Sequence, residues 1–349
     1  MERLHTPEYG LISGNLRRKL SSAAFQALRS CGVFSLAARS ERRKNSLVIL
    51  CYHGLSLHDE HKWLPQLYIT AEQFRQRLQA LREADASVLP LDEALERLKD
   101  GSLPSRSVTI TFDDGFYDFM EVGLPILRDY NFPCTVYLTT HYCHHRLPII
   151  GLVLDYMMWK SGQFTVRLPR FGIDAPLPIR TYSQRQEVVG QILKWAEHSG
   201  IDTIGKDQVA QSIARSLGVQ YDEIRNRRML QILSPSDVQT IARAGVDVQL
   251  HTHRHRVPNN FQLFTKEIED NRRNIVDLTG ITPTHFCYPS GEYTPEFFGW
   301  LQDCGVKSAT TCEVGLALRN SNSMRLPRVL DHGGLSALRF ESFVSGVMV

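Results

Sequence analysis

The run "VTITFDDG", residues 108–115, constrains this chain more than any other stretch. Val108, Ile110 and Phe112 alternate with threonines, the period-2 pattern of a largely buried strand. Two carboxylates and a glycine then end the run. At the tip of a buried strand, Asp113 and Asp114 repel each other and lose hydration, which is costly unless something positive sits between them. Read alone, Asp114-Gly115 also suits an ordinary turn with both acids in solvent.

Around this run, strand-like and helix-like segments alternate. "NSLVILCYHG" is a short apolar strand ending in Tyr52-His53-Gly54, and a helix follows over about 71–84. Thr70 is placed as its N-cap, with Gln73 three residues on and an apolar face of Phe74, Leu78 and Leu81. A further helix is expected over 91–99. "DFMEVGLPILRDYN" reads as helical and "FPCTVYLTT" as the next strand. "SPSDVQTIARAG" is a helix capped by Ser234, with Pro235 in its first turn and Gly245 as its stop. "VDVQLHTH" resumes as a strand, "TKEIEDNRRNIVDLTG" as a helix closed by Gly280, and "THFCYPSGEY" as a strand entering a turn. Such alternation predicts a parallel sheet or barrel.

Two regions stand apart. Residues 11–39 carry apolar residues at helical spacing and are expected as one helix. Between residues 9 and 40 there is no acid, against Arg17, Arg18, Lys19, Arg29 and Arg39. From about 145 to 230 the text changes to a proline-bearing β-excursion and two amphipathic helices, read as an insertion rather than a separate domain. The expected organisation is therefore an N-terminal basic amphipathic region over 1–45 and one catalytic unit over 46–349 interrupted at 145–230.

The whole-chain numbers exclude some classes. A net charge of +3 over 349 residues leaves no nucleic-acid footprint. No secretory signal is evident, and the longest apolar stretch, "LPIIGLVLDYMMW", is broken by Asp155 and falls short of the roughly 20 residues a bilayer span needs. The 7 cysteines are odd in number and contain no C-x-x-C, which suits reduced thiols and a cytoplasmic location. The basic segment could rest on an anionic membrane surface, making the chain peripheral to the inner membrane, or pack on the barrel with its charges solvated.

The positive partner for the two acids is expected from "QLHTHRHRVP", residues 249–258, which also lies just past a strand. In α/β barrels the strand ends at that face carry the active site. His251 and His255 are four apart, so a compact turn aims both imidazoles at one point. Two imidazoles and one carboxylate suit zinc or another borderline divalent ion with open positions. One acid can then bind the ion while its neighbour acts as base toward water. His253 is an alternative ligand. The rival cluster "HYCHHR" offers His141, Cys143, His144 and His145 but has no acid pair and is read as a loop.

"TFDDG", then "HTHRH", then "FCYPSGEY", each at a strand end and in this order, resemble the three motifs of the polysaccharide deacetylases, the NodB-homology group of carbohydrate esterase family 4. "CYHGL" and "LPRVL" resemble flanking features of members from polysaccharide biosynthesis clusters. The resemblance covers about 46–140 and 232–349. It implies a distorted (β/α) barrel and metal-dependent removal of N-acetyl groups from sugars. It assigns Asp113 as base, Asp114, His251 and His255 as metal ligands, and the Ser290 backbone N–H as an oxyanion donor. The general acid is expected at His332, with His53 competing. The family's arginine position holds Cys287 and its aromatic position Ser290, and Arg328 in "LPRVL" is a candidate replacement for the arginine. The expected substrate is an N-acetylated amino sugar in a polysaccharide precursor, oligosaccharide or glycolipid. Deformylation or other amide hydrolysis on the same site, or a non-catalytic sugar-binding relic, are the alternatives.

Overall fold

The computed structural model describes residues 22–348. Seven strands run parallel and close on themselves: β1 (Ser46–Tyr52), β2 (Ser107–Phe112), β3 (Thr135–Leu138), β4 (Asp247–Leu250), β5 (His285–Cys287), β6 (Ser308–Val314) and β7 (Leu326–Leu330). Each pairs with the next in sequence, and β7 returns to β1 through Leu50 opposite Val329 and Cys51 opposite Leu330. This is a (β/α) barrel of the expected kind. It is distorted where β6 meets β7, because the register shifts between Thr310 and Val314. The connection between those two strands carries only the short strand Ala317–Leu318, antiparallel to the start of β1, and no helix.

Burial on both faces explains the apolar text of β1, whose seven residues are all buried. In β2 the alternation separates two environments. Phe112 packs edge-on against Phe74 and Phe119 of the surrounding helices, while Thr111 receives a hydrogen bond from Arg328 of β7. The period of two puts Asp113 on the same side as Thr111.

Local helix signals hold where the residues that carry them are adjacent. Thr70 caps Ala71–Glu83, with Gln73 completing a capping box. Ser234 does the same for Pro235–Arg243 with Asp237, and Gly280 ends Phe261–Thr279 at φ 74°. One expectation needs correction. The single helix over 11–39 is, within the described residues, two helices, Ser22–Ser30 and Val33–Ala38; residues 11–21 lie outside them. Gly32 between the two is at φ 76°, a conformation a continuous right-handed helix cannot contain. The pair packs inward through Phe25 and Phe34, and Arg29 bonds Glu341 at 2.9 Å, so that part of the basic stretch is spent on the barrel itself. Most of the interrupted apolar run is the buried helix Ile150–Lys160, whose Asp155 is paired with Arg185.

Residues 145–230 contain that helix, the hairpin Thr165–Leu168 with Ile173–Pro178, and the helices Tyr182–His198, Thr203–Leu217 and Tyr221–Asn226. Their apolar side chains join the same continuous core as the barrel, Tyr156 meeting Trp63 at 5.4 Å. Among the described residues, no helix is long and apolar enough to cross a membrane.

The Thr70 box supplies a direct check. Thr70→Ala removes the acceptor of the Gln73 N–H and is expected to lower stability by about 1 kcal/mol, read as a shift in the urea midpoint with an unchanged slope.

Candidate active site

Parallel strands end on one face, and the motif residues gather there. The Asp113 N–H continues the β1–β2 ladder onto the Tyr52 carbonyl. The chain then turns sharply: Asp114 and Gly115 hold φ of 68° and 81°, and the Gly115 N–H bonds back to the Asp113 carbonyl at 2.8 Å. A non-glycine residue at that φ is strained and persists only where the surroundings impose it. Gly115 is required twice, by its φ and because a Cβ there would lie 2.4 Å from Leu138 Cδ1. The turn sends the two carboxylates in different directions.

Asp114 meets the histidines. Its Oδ1 lies 3.1 Å from His251 Nε2 and 3.0 Å from His255 Nε2, and the ligand atoms of all three residues fall within 4.8 Å of one another. His251 Nδ1 sits 2.8 Å from the Cys287 carbonyl, which can only accept, so Nδ1 carries a proton and Nε2, facing Asp114, is the nitrogen left to bind an ion. The His251 N–H is held by Asn271 Oδ1 at 2.9 Å. One carboxylate oxygen and two imidazole nitrogens converging on one point, with an outer carbonyl fixing the tautomer, fit a divalent cation of the zinc type. His253 is not part of this set: its Nδ1 pairs with Thr140 Oγ1 at 2.9 Å, and burial beside Arg254 depresses its pKa to about 4.

Asp113 meets an arginine. Arg328, wholly buried on β7, donates from Nη1 to Oδ1 and from Nη2 to Oδ2, both at 2.7 Å. Its Nε donates to the Thr311 carbonyl at 2.9 Å, and its Nη2 also reaches Cys287 Sγ at 3.2 Å. Burial alone would raise the Asp113 carboxyl, but the Arg328 guanidinium outweighs it and holds the group well below the usual carboxylate range. The thiols of Cys51 and Cys287 each lie 3.4 Å from Asp113 Oδ2. Cys287, at the place where an arginine was expected, thus packs against the pair that Arg328 makes from another strand.

The proton-donor candidates separate. His53, just past β1, places Nε2 3.7 Å from Asp113 Oδ2. His332, just past β7, takes the Gly334 N–H on Nδ1 at 3.1 Å, while its own N–H bonds Asp331, which Arg77 holds at 2.9 Å. Burial lowers the pKa of both rings. Ser290 lies in the turn after β5 at φ 58°, between buried Pro289 and Gly291. A Cβ on Gly291 would lie 2.8 Å from Cys312 Cβ, which is why glycine stands there.

The rival histidine cluster is a single 3-10 turn, His141–His144, with Cys143 buried and His144 Nε2 3.0 Å from Asn274 Oδ1. His141 leans edge-on against His253 at 5.5 Å, and its N–H bonds the His253 carbonyl at 2.8 Å. It buttresses the loop that carries His251 and His255. The residues that sequence reasoning passed over are Cys51, Asn271 and Glu267. The one signal for the last two was a polar residue recurring on the inward face of an amphipathic helix.

The chain belongs to the polysaccharide deacetylase family, whose model matches residues 100–309. Among curated proteins it is similar to the poly-beta-1,6-N-acetyl-D-glucosamine N-deacetylases of Staphylococcus epidermidis and Staphylococcus aureus. The first is 31% identical over 133 residues, 34% of this chain and 46% of that protein; the second is 29% identical over 134 residues. The chain thus matches about half the length of these relatives. Among solved structures it is similar in fold to the Streptococcus pyogenes deacetylase PplD in complex with acetate, at TM-score 0.57 and 17% identity over 86% of this chain and 98% of that one. IcaB from Ammonifex degensii gives TM-score 0.52 and 17% identity over 87% and 97%.

The buried pair yields a stability test. Arg328→Ala strands Asp113 as an unpaired buried charge and is expected to cost about 3–5 kcal/mol in urea unfolding at neutral pH. In the wild type the depressed carboxyl contributes stability above its unfolded pKa of about 3.9, lost only as pH falls through the lower folded value. In the variant the folded pKa lies above the unfolded one, so stability is regained as pH falls. The gap between the two proteins should therefore narrow on going from pH 7 toward pH 4; a gap independent of pH would refute the charge account.

Proposed function

We propose that this chain is a divalent-metal-dependent hydrolase that removes N-acetyl groups from an amino sugar within a polysaccharide, oligosaccharide or glycolipid. One observation carries the reading: Asp114, His251 and His255 converge on one point while the adjacent Asp113 is held apart and ionised by Arg328. Family membership and the names of the staphylococcal relatives support the reaction type and the substrate class.

Asp114, His251 and His255 would hold the ion, zinc being the simplest fit to their donor set. When bound, the ion supplies Lewis acidity toward the acetyl carbonyl. Asp113 accepts a proton from the attacking water as the water oxygen bonds to the carbonyl carbon. Its low pKa, set by Arg328, keeps it in the carboxylate form needed to do so. The Ser290 backbone N–H is assigned to the negative charge that develops on the carbonyl oxygen. The C–N bond then breaks, releasing acetate, and the amine leaves with a proton from His332. A second donor is favoured by a specific distance: His53 Nε2 lies 3.7 Å from Asp113 Oδ2, the base.

The proposed location is the cytoplasm, with the basic N-terminal stretch a candidate contact for an anionic membrane surface where it is not packed on the barrel. It is supported by the absence of acids over residues 9–40 and the odd, unpatterned cysteines.

The test measures bound metal and acetate together. Wild type is expected to bind one zinc per chain and to release acetate from N-acetylated oligosaccharides. His251→Ala and Asp114→Ala should lose both. Asp113→Asn should keep the metal and lose turnover by about 10²–10⁴-fold. Formate release with no acetate would move the assignment to deformylation, and wild-type chains without metal after reconstitution would end it. Of His332→Ala and His53→Ala, the variant that loses the alkaline limb of the rate profile identifies the donor.

A further inference from the structure

The loop that carries two of the three metal ligands is strained. Thr252 and His255 hold φ of 59° and 53°, and a β-branched residue such as Thr252 rarely adopts that conformation. Something must impose it. The amide protons of the loop show what does. The His251 N–H bonds Asn271 Oδ1 at 2.9 Å, the His253 N–H bonds the Glu267 carbonyl at 3.1 Å, and the Arg254 N–H bonds Glu267 Oε2 at 2.8 Å. All three acceptors belong to one helix, Phe261–Thr279.

Glu267 does more than take one amide. Its Oε1 accepts from Arg254 Nη1 at 3.0 Å and from Arg256 Nε at 2.8 Å. The residue is 1% exposed and stands one turn before Asn271, on the face that also carries Phe264, Ile268 and Ile275. At that place an apolar side chain would continue the core stripe without the desolvation penalty of a buried charge. Packing therefore gives no reason for a carboxylate, whereas the loop does. Three donors from Arg254 and Arg256, the residues flanking His255, end on its two oxygens.

We propose that Glu267 is a positioning residue for the metal ligands, setting the chain path between His251 and His255 so that both Nε2 atoms reach Asp114. Glu267→Gln leaves one acceptor oxygen where three donors converge and turns the other into a donor, so part of the Arg254 and Arg256 anchoring is lost and Thr252 and His255 can relax from left-handed backbone. The ion then binds to ligands it must first organise. The inference rests on the metal-site reading above, and its test separates the two.

Zinc affinity of the full chain is measured by competition with a chromogenic chelator, alongside unfolding of the metal-free protein. Glu267→Gln is expected to fold, to keep one zinc per chain, and to raise the zinc Kd by about 10- to 100-fold, the range for loss of an outer-shell partner. Arg256→Ala, which leaves the buried carboxylate its other donors, should raise Kd by a smaller factor and decides the matter if Glu267→Gln does not fold. Glu269→Gln, an exposed change on the same helix, should leave Kd at the wild-type value. His251→Ala is the control on the site. If it abolishes binding while Glu267→Gln and Arg256→Ala bind like wild type, the positioning role is overturned and the ligand set stands. If His251→Ala binds zinc like wild type, the ligand set fails and the positioning role with it.

Discussion

The bidentate pair between Arg328 and Asp113 is the interaction on which the rest of the site depends. It spans three neighbouring strands: Arg328 on β7, Cys51 on β1 between, and Asp113 past the end of β2. The pair exists only because the sheet closes, since β7 and β2 are brought to either side of β1 by closure. In return it anchors one of two adjacent carboxylates. With Asp113 fixed on the arginine, the left-handed turn at Asp114 has a defined direction in which to send the second carboxylate.

That turn separates two chemical roles across one peptide bond. Asp113 sees a permanent cation and two thiols, and the cation outweighs the effect of burial to lower its pKa. Asp114 sees two imidazole nitrogens and a place for an ion. Two carboxylates with the same environment would share a proton or repel each other; here backbone geometry gives each its own partner. The histidine loop is arranged on the same plan, with strained residues held by acceptors on an adjoining helix.

Much of this was legible before the structure. "TFDDG" and "HTHRH" announced themselves because each concentrates polar, chemistry-bearing residues at the end of an apolar run. The caps at Thr70 and Ser234 were legible because a cap is decided by residues three apart. Where the reading departed, the deciding contact was distant or a local signal was outweighed. Helical spacing over 11–39 continues past Gly32, but the φ of 76° there splits the described part in two. That Asp155 interrupts an apolar run was legible; that it is the buried partner of Arg185, thirty residues on in the sequence, was not. The replacement for the missing arginine was legible only as a candidate, Arg328 in "LPRVL", because it comes from a different strand than the third motif.

The sequence by itself determined the strand-end placement of the acids and histidines, their order, and the class of barrel they belong to. The placement follows from period, composition and caps, which act over a few residues, and the class of barrel from the resemblance of the three motifs to the polysaccharide deacetylases. The tertiary structure alone decided that Arg328 supplies the charge beside Asp113, that His255 rather than His253 joins His251, and that Glu267 and Asn271 hold the loop between them. Each of those depends on which strands and helices become neighbours when the barrel closes. Contacts between residues as far apart as Asp113 and Arg328, 215 positions along the chain, leave no local pattern to read.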